Sequence, residues 1–131
     1  MKKYALFSGM LIPVWLFCGV LIAGSLYPGY SHVDQAMSEL GALEAPTHQL
    51  SPIINNFPLG VLFLLFGGAV VSLFSGARLA QFSGLLLMLH GLASISAGLF
   101  ACDPGCNPVE PSPDQVLHNL SGLVMFASLT L

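Results

Sequence analysis

The stretch Ile53-Ile-Asn-Asn-Phe-Pro-Leu-Gly-Val-Leu-Phe-Leu-Leu-Phe-Gly-Gly-Ala-Val-Val-Ser-Leu-Phe74 decides how this chain folds. It carries no charge. As a helix of about 20 residues it is long enough to cross a hydrocarbon core of roughly 30 Å. Its side chains do not alternate between polar and apolar, as a strand of a membrane barrel would require, so helix is the backbone form left to it. Three further blocks, 4–27, 79–101 and 116–131, read the same way. The first contains Pro13 and outruns the roughly 7–15 apolar residues of a cleaved signal peptide, so it reads as a retained anchor. The fourth stops abruptly at roughly 16 residues and opens with His118, Asn119 and Ser121. It reads as a span cut short, which would make the chain a fragment missing C-terminal spans, with a naturally short last helix as the alternative.

Composition agrees. Of 131 residues, 55% are hydrophobic and 7% charged, with a mean hydropathy of +0.83, where a water-facing domain carries roughly 25% charged residues. The expected fold is therefore an all-α polytopic transmembrane bundle forming a single domain over 1–131, with outer loops at 28–52 and 102–115. A net charge of −3 with three basic residues makes nucleic acid a poor partner and offers no basic cluster to anionic headgroups. Membrane lipids are the expected surroundings.

Lys2, Lys3 and Arg78 fall on one side if the spans alternate, and the positive-inside rule makes that side cytoplasmic. The expected setting is a multi-pass protein of the plasma membrane with a cytoplasmic N-terminus. All six acids, Asp34, Glu39, Glu44, Asp103, Glu110 and Asp114, then lie at the outer face.

In the first outer loop, Ser31 is placed to cap a helix with Asp34 three positions on, and Gly41 to end it. Val33, Ala36, Met37 and Leu40 would share one face of this short amphipathic helix, and His32, Asp34, Gln35, Ser38 and Glu39 the other. In the second loop, Cys102 and Cys106 flank Asp-Pro-Gly in a tight turn and are candidates for a disulfide in an oxidising compartment. A metal pair is the weaker reading of these cysteines, because no second pair completes a tetrahedral site. Cys18 reads as a packing residue.

Small residues mark helix contacts: Gly84, Gly91, Ser94 and Gly98 in the third span, and Gly68, Ser72 and Gly76 in the second. They make packing against missing spans, or self-association, an expectation. His90, in mid-span, reads first as a neutral imidazole bonded across a helix interface, with Ser94 one turn along as a possible partner.

The groups able to do chemistry gather at the outer face. His32, Asp34, Glu39, Asp103 and His118 are ligand types for a divalent metal, and His32, Glu39, Asp103 and His118 are acid–base candidates, with Ser38 a polar auxiliary. Asn55 and Asn56 open the second span at the same depth. Their spacing matches no defined metal motif, and solvated or helix-capping roles are the plainer reading.

Three stretches carry a resemblance: Tyr27-Pro-Gly-Tyr-Ser-His-Val-Asp-Gln-Ala-Met-Ser-Glu-Leu-Gly-Ala42 with Ala45-Pro-Thr47, then Cys102-Asp-Pro-Gly-Cys106, then His118-Asn-Leu-Ser-Gly122. They resemble the bacterial and archaeal membrane family called domain of unknown function 998, whose members are typically six-span proteins of about 200 residues. The resemblance implies a helical membrane fold and no activity. Two functions remain open on the sequence. One is a non-enzymatic membrane module. The other is a metal-assisted hydrolase acting on lipid at the outer face.

Overall fold

The computed structural model describes residues 2–131 and contains helices and loops, with no strand among the described residues. Four helices carry the fold: α1 (Lys2–Ser25), α2 (Phe57–Leu73), α3 (Arg78–Leu99) and α4 (Pro113–Thr130). Three stretches, Tyr4–Ser25, Pro52–Leu73 and Arg78–Leu99, are long and apolar enough to cross a membrane. The Lys2 and Lys3 side chains, used above to orient the chain, lie outside the described ones.

The chain is apolar outside and small or polar inside, the reverse of a water-soluble fold. Phe7, Val14, Phe17, Leu65, Leu85, Leu92, Leu123 and Phe126 are at least half exposed, whereas Gly60, Gly67, Gly84, Gly91, Ala93, Ser94 and Ala97 are buried. Lipid tails solvate leucine as well as another helix does, so helices associate where small residues let backbones meet. This is a helical membrane bundle.

The closest approach joins α2 to α3. A Cβ at Gly67 would stand 2.5 Å from the Gly84 carbonyl oxygen, and one at Gly84 2.9 Å from that of Gly67. One heptad along, a Cβ at Gly60 would meet the Gly91 carbonyl at 2.8 Å, and one at Gly91 the Gly60 carbonyl at 2.7 Å. The pairing runs antiparallel with a seven-residue step on both helices. Gly84, Gly91 and Gly98 form the α3 contact face, as the sequence predicts, but the α2 face is Gly60 and Gly67 rather than the predicted Gly68, Ser72 and Gly76. Gly68 and Gly76 meet nothing within 4 Å; Gly68 is turned about 100° from its neighbour Gly67. At the far end of this pair, the Ser94 hydroxyl donates to the Asn56 carbonyl at 2.9 Å while Asn56 Nδ2 reaches the Ser94 carbonyl at 3.4 Å.

α1 lies on the other side of α2, with Gly9 facing the Phe66 ring and Gly19 facing Asn55. The lead-in to α2 is a wide π turn, Pro52–Asn56. Pro58 has no N–H to offer the carbonyl of Ile54 four residues back, and its ring crowds that position, which a widened turn relieves. The Trp15 indole of α1 supplies the missing donor, at 2.7 Å from Ile54 O. In hydrocarbon no water would do so.

α4 joins α3 through a polar seam rather than a glycine one. His118 Nδ1 lies 2.8 Å from Phe100 O and 3.2 Å from Ala97 O, Ser121 Oγ lies 2.8 Å from Ser96 Oγ, and His90 Nδ1 lies 3.0 Å from Met125 O and 3.3 Å from Ser128 Oγ. Positions 118, 121, 125 and 128 recur at heptad spacing, so one face of α4 meets α3 while Leu120, Leu123 and Phe126 face outward. The polar residues that made this block look like a defective span are its contact face. The helix also starts three positions earlier than the apolar block, because Ser112 caps it and Pro113 occupies its first turn. His90 bonds across to α4, as an interhelical histidine should, and Ser94 serves Asn56 instead.

Packing among the helices is sequential, α1 on α2, α2 on α3 and α3 on α4; among the described residues α1 and α4 make no extended contact. The loops 26–51 and 100–112 gather at one end of the bundle and the short turn before Arg78 lies at the other.

The glycine pairing gives a direct expectation. Gly67→Ala pushes a methyl into unyielding backbone and should destabilise by roughly 1–3 kcal/mol, whereas Gly68→Ala should be neutral. Thermal unfolding of the two variants in the same detergent decides it; equal effects would contradict the assigned face.

Candidate functional site

The helix expected in the first loop forms only in part. Ser31 caps as read, its hydroxyl accepting from Asp34 N at 3.2 Å and donating to Asp34 Oδ2 at 2.7 Å. That turn closes after one hydrogen bond, from Gln35 N to Ser31 O. The helical segment proper is a 3-10 turn, Met37–Gly41. Val33, assigned above to the apolar face, is 92% exposed, while Leu40 is fully buried. The break comes from Glu39. Its Oε1 accepts from Ala36 N at 3.0 Å and its Oε2 from Gln35 Nε2 at 2.7 Å, so the carboxylate caps a new start at Ala36 rather than continuing the old one. Partial burial, then the nearby Glu39 charge, hold the Tyr30 phenol above its ordinary pKa.

His32 and Asp103 are also engaged locally. The His32 ring packs on Gly24 and stands edge-on to Tyr30, with centroids 4.9 Å apart. Asp103 Oδ2 accepts from Ser112 N at 2.9 Å, while Asp103 N donates to Gln115 Oε1 at 2.8 Å. The Ser112 hydroxyl accepts from Gln115 N at 3.1 Å, and Asp103 supplies the acceptor for Ser112 N that the Gln115 side chain would supply in a capping box at the start of α4. Among the described residues no three His, Cys, Asp or Glu side chains gather to hold a metal ion. The donor set His32, Asp34, Glu39, Asp103 and His118 therefore does not fit a metal centre.

Cys102 and Cys106 form a disulfide, their Cα atoms 5.0 Å apart, and Gly105 between them takes φ +72°, a conformation glycine adopts freely. Leu43 N donates to Cys102 O at 2.8 Å, which ties the two loops together. Two residues passed over in the sequence matter here. Thr47 Oγ1 donates to Leu40 O at 2.7 Å, and His48 Nδ1 meets Gly41 O at 2.9 Å; both close carbonyls left open by the 3-10 turn. Gln115, 1% exposed, was missed as well, although Ser112-Pro-Asp-Gln115 is a legible capping signature.

Beneath these stitched loops lies a cavity of about 230 Å³. Leu16 and Val20 of α1, Leu59 of α2, Ala97 and Gly98 of α3, and Gly122 and Met125 of α4 form its walls, with Met37, Ser38 and Gly41 above. Its polar groups are Ser38, Ser51, Asn55, Asn56, Ser94 and His118, and no Asp, Glu, Lys or Arg lines it. His118 is the one sequence-chosen acid–base candidate that borders it. Asn55 is 7% exposed, and its Oδ1 is the buried side-chain polar atom without a hydrogen-bond partner among the described residues. Nδ2 of the same amide reaches Ser51 Oγ only at 3.5 Å.

The fold and cavity define a polytopic α-helical membrane protein with a mostly apolar pocket under tied loops. The chain belongs to the family described as protein of unknown function (DUF998), whose model matches residues 10–131. No curated protein matches the chain, and no solved structure does.

The loop roles are testable. Asp103→Ala leaves Ser112 N without its acceptor and should cost about 1–2 kcal/mol, whereas Asp103→Asn keeps an acceptor oxygen and should be nearly neutral. Thermal unfolding and protease nicking of the 100–112 loop read both. A loss of metal content in Asp103→Asn at unchanged stability would contradict the capping role.

Proposed function

We propose that this protein is a non-enzymatic membrane module that holds one amphiphile, a membrane lipid, in the cavity at the loop end. The supporting observation is the cavity itself: apolar walls from all four helices, a few neutral polar groups at one end, and flanking helices α1 and α4 that make no extended contact. Mostly apolar concavities with a small number of placed polar groups are the usual form of a small-molecule site. The volume lies below the roughly 300–1,000 Å³ of sites that engulf a drug-sized ligand. It suits the polar end and first carbons of a lipid whose tail runs out between α1 and α4.

Hydrolysis finds less support. It needs a base, an acid or a metal at the reacting bond, and the carboxylates that could serve are engaged in caps outside the cavity. The setting we propose is the plasma membrane, N-terminus cytoplasmic and loops outside. Its support is Arg78 at the turn end, opposite loops that carry acids and no Lys or Arg.

Gly122 lines the cavity and a Cβ there would meet nothing within 4 Å, so Gly122→Leu fills the space without a backbone clash. Native mass spectrometry of the purified protein should find about one retained lipid per chain, reduced at least roughly tenfold in Gly122→Leu at unchanged stability. A wild-type protein that carries no lipid would refute the proposal, as would retention indifferent to the substitution. For topology, a thiol at Ala77→Cys should react with an impermeant reagent only after the cells are opened.

A further inference from the structure

We infer that the occupant of this cavity is a neutral lipid with a free hydroxyl, and that the hydroxyl donates to His118 Nε2. The inference rests on the lipid-binding reading above and narrows it to a headgroup class.

The tautomer of His118 comes from its partners. Nδ1 faces two carbonyl oxygens, of Phe100 at 2.8 Å and Ala97 at 3.2 Å. Carbonyls only accept, so Nδ1 carries the proton and Nε2 of the neutral ring carries a lone pair. No described protein group bonds to Nε2, and the side chain lines the cavity. Asn55 Oδ1, although without a hydrogen-bond partner, is buried against Gly19 of α1 and is closed to a ligand in the cavity. An acceptor at the cavity without a protein donor, His118 Nε2, calls for a ligand that donates. A hydroxyl does so and still accepts in return, for example from Asn56 Nδ2, whose bond to Ser94 O is a long 3.4 Å.

Charge argues against the common headgroups. A phosphate needs a cation or several N–H donors, and the lining holds no Lys or Arg. The loops around the cavity carry Asp34, Glu39, Glu44, Asp103 and Glu110 with no Lys or Arg, so an anion would also enter a repelling field. An ammonium would find that field attractive but no carboxylate in the cavity to pair with, and burying it unpaired is costly. A neutral hydroxyl suffers neither penalty.

The test uses the whole protein in phosphatidylcholine nanodiscs and four single-chain probes of equal length: hexadecanol, hexadecyl methyl ether, hexadecyl phosphate and hexadecylamine. Each competes with a photoactivatable hexadecanol for labelling of the cavity. Hexadecanol should compete roughly tenfold better than the ether, which lacks the donor, and better than the phosphate and the amine. His118→Phe should bring alcohol and ether to within about twofold of one another. The wild-type series alone decides the matter should that variant fold poorly. Ether equal to alcohol, or phosphate or amine above it, would overturn the hydroxyl assignment and leave lipid binding standing. If no probe competes and no label enters the cavity, both fall.

Discussion

The contact of α2 with α3 sets everything around it. Gly60 with Gly91 and Gly67 with Gly84 bring two backbones together where any side chain would hold them apart. In lipid no hydrophobic force gathers helices, so this shape match is the main attraction available. It fixes the floor on which α1 and α4 stand as separate walls. Because those walls attach to opposite sides of the pair, a gap between them is a consequence of connectivity.

The attachments use a second constraint, that backbone carbonyls in a bilayer need donors from the protein. Pro58 strands the carbonyl of Ile54, and Trp15 meets it. The last carbonyls of α3 lie beyond their own helix's N–H groups, and His118 meets those. In both cases a side chain from a flanking helix docks on an open acceptor of the central pair. The same bond that anchors α4 sets which ring nitrogen of His118 faces the cavity, so packing and cavity chemistry are one arrangement.

The sequence made the helices plain, because long uncharged apolar runs admit no other membrane-spanning form at this length. It also exposed the α3 glycine face, where Gly84, Gly91 and Gly98 stand seven apart. The α2 face was harder: Gly60, Gly67, Gly68 and Gly76 offer two stripes, and periodicity alone does not say which one a neighbour meets. For the site, residue type was readable and use was not. His32, Asp34, Glu39 and Asp103 look like chemistry, yet each finds a hydroxyl, backbone or ring partner within a few residues or across the loop junction. Glu39 capping Ala36 also ended the expected loop helix early. Thr47 and Gln115 hold the loops together while carrying no charge to draw notice. Of the acid–base candidates His118 alone is placed at the cavity, since a histidine at the mouth of an apolar helix needs a reason to be there.

The proposed lipid enters from the bilayer into a cavity kept open between α1 and α4. An experimental structure determined in lipid nanodiscs without added ligand tests this most directly. Elongated density running between Leu16 and Met125 and ending beside His118 Nε2 is the predicted result. Closure of that space, with α1 packed side by side against α4, would contradict it.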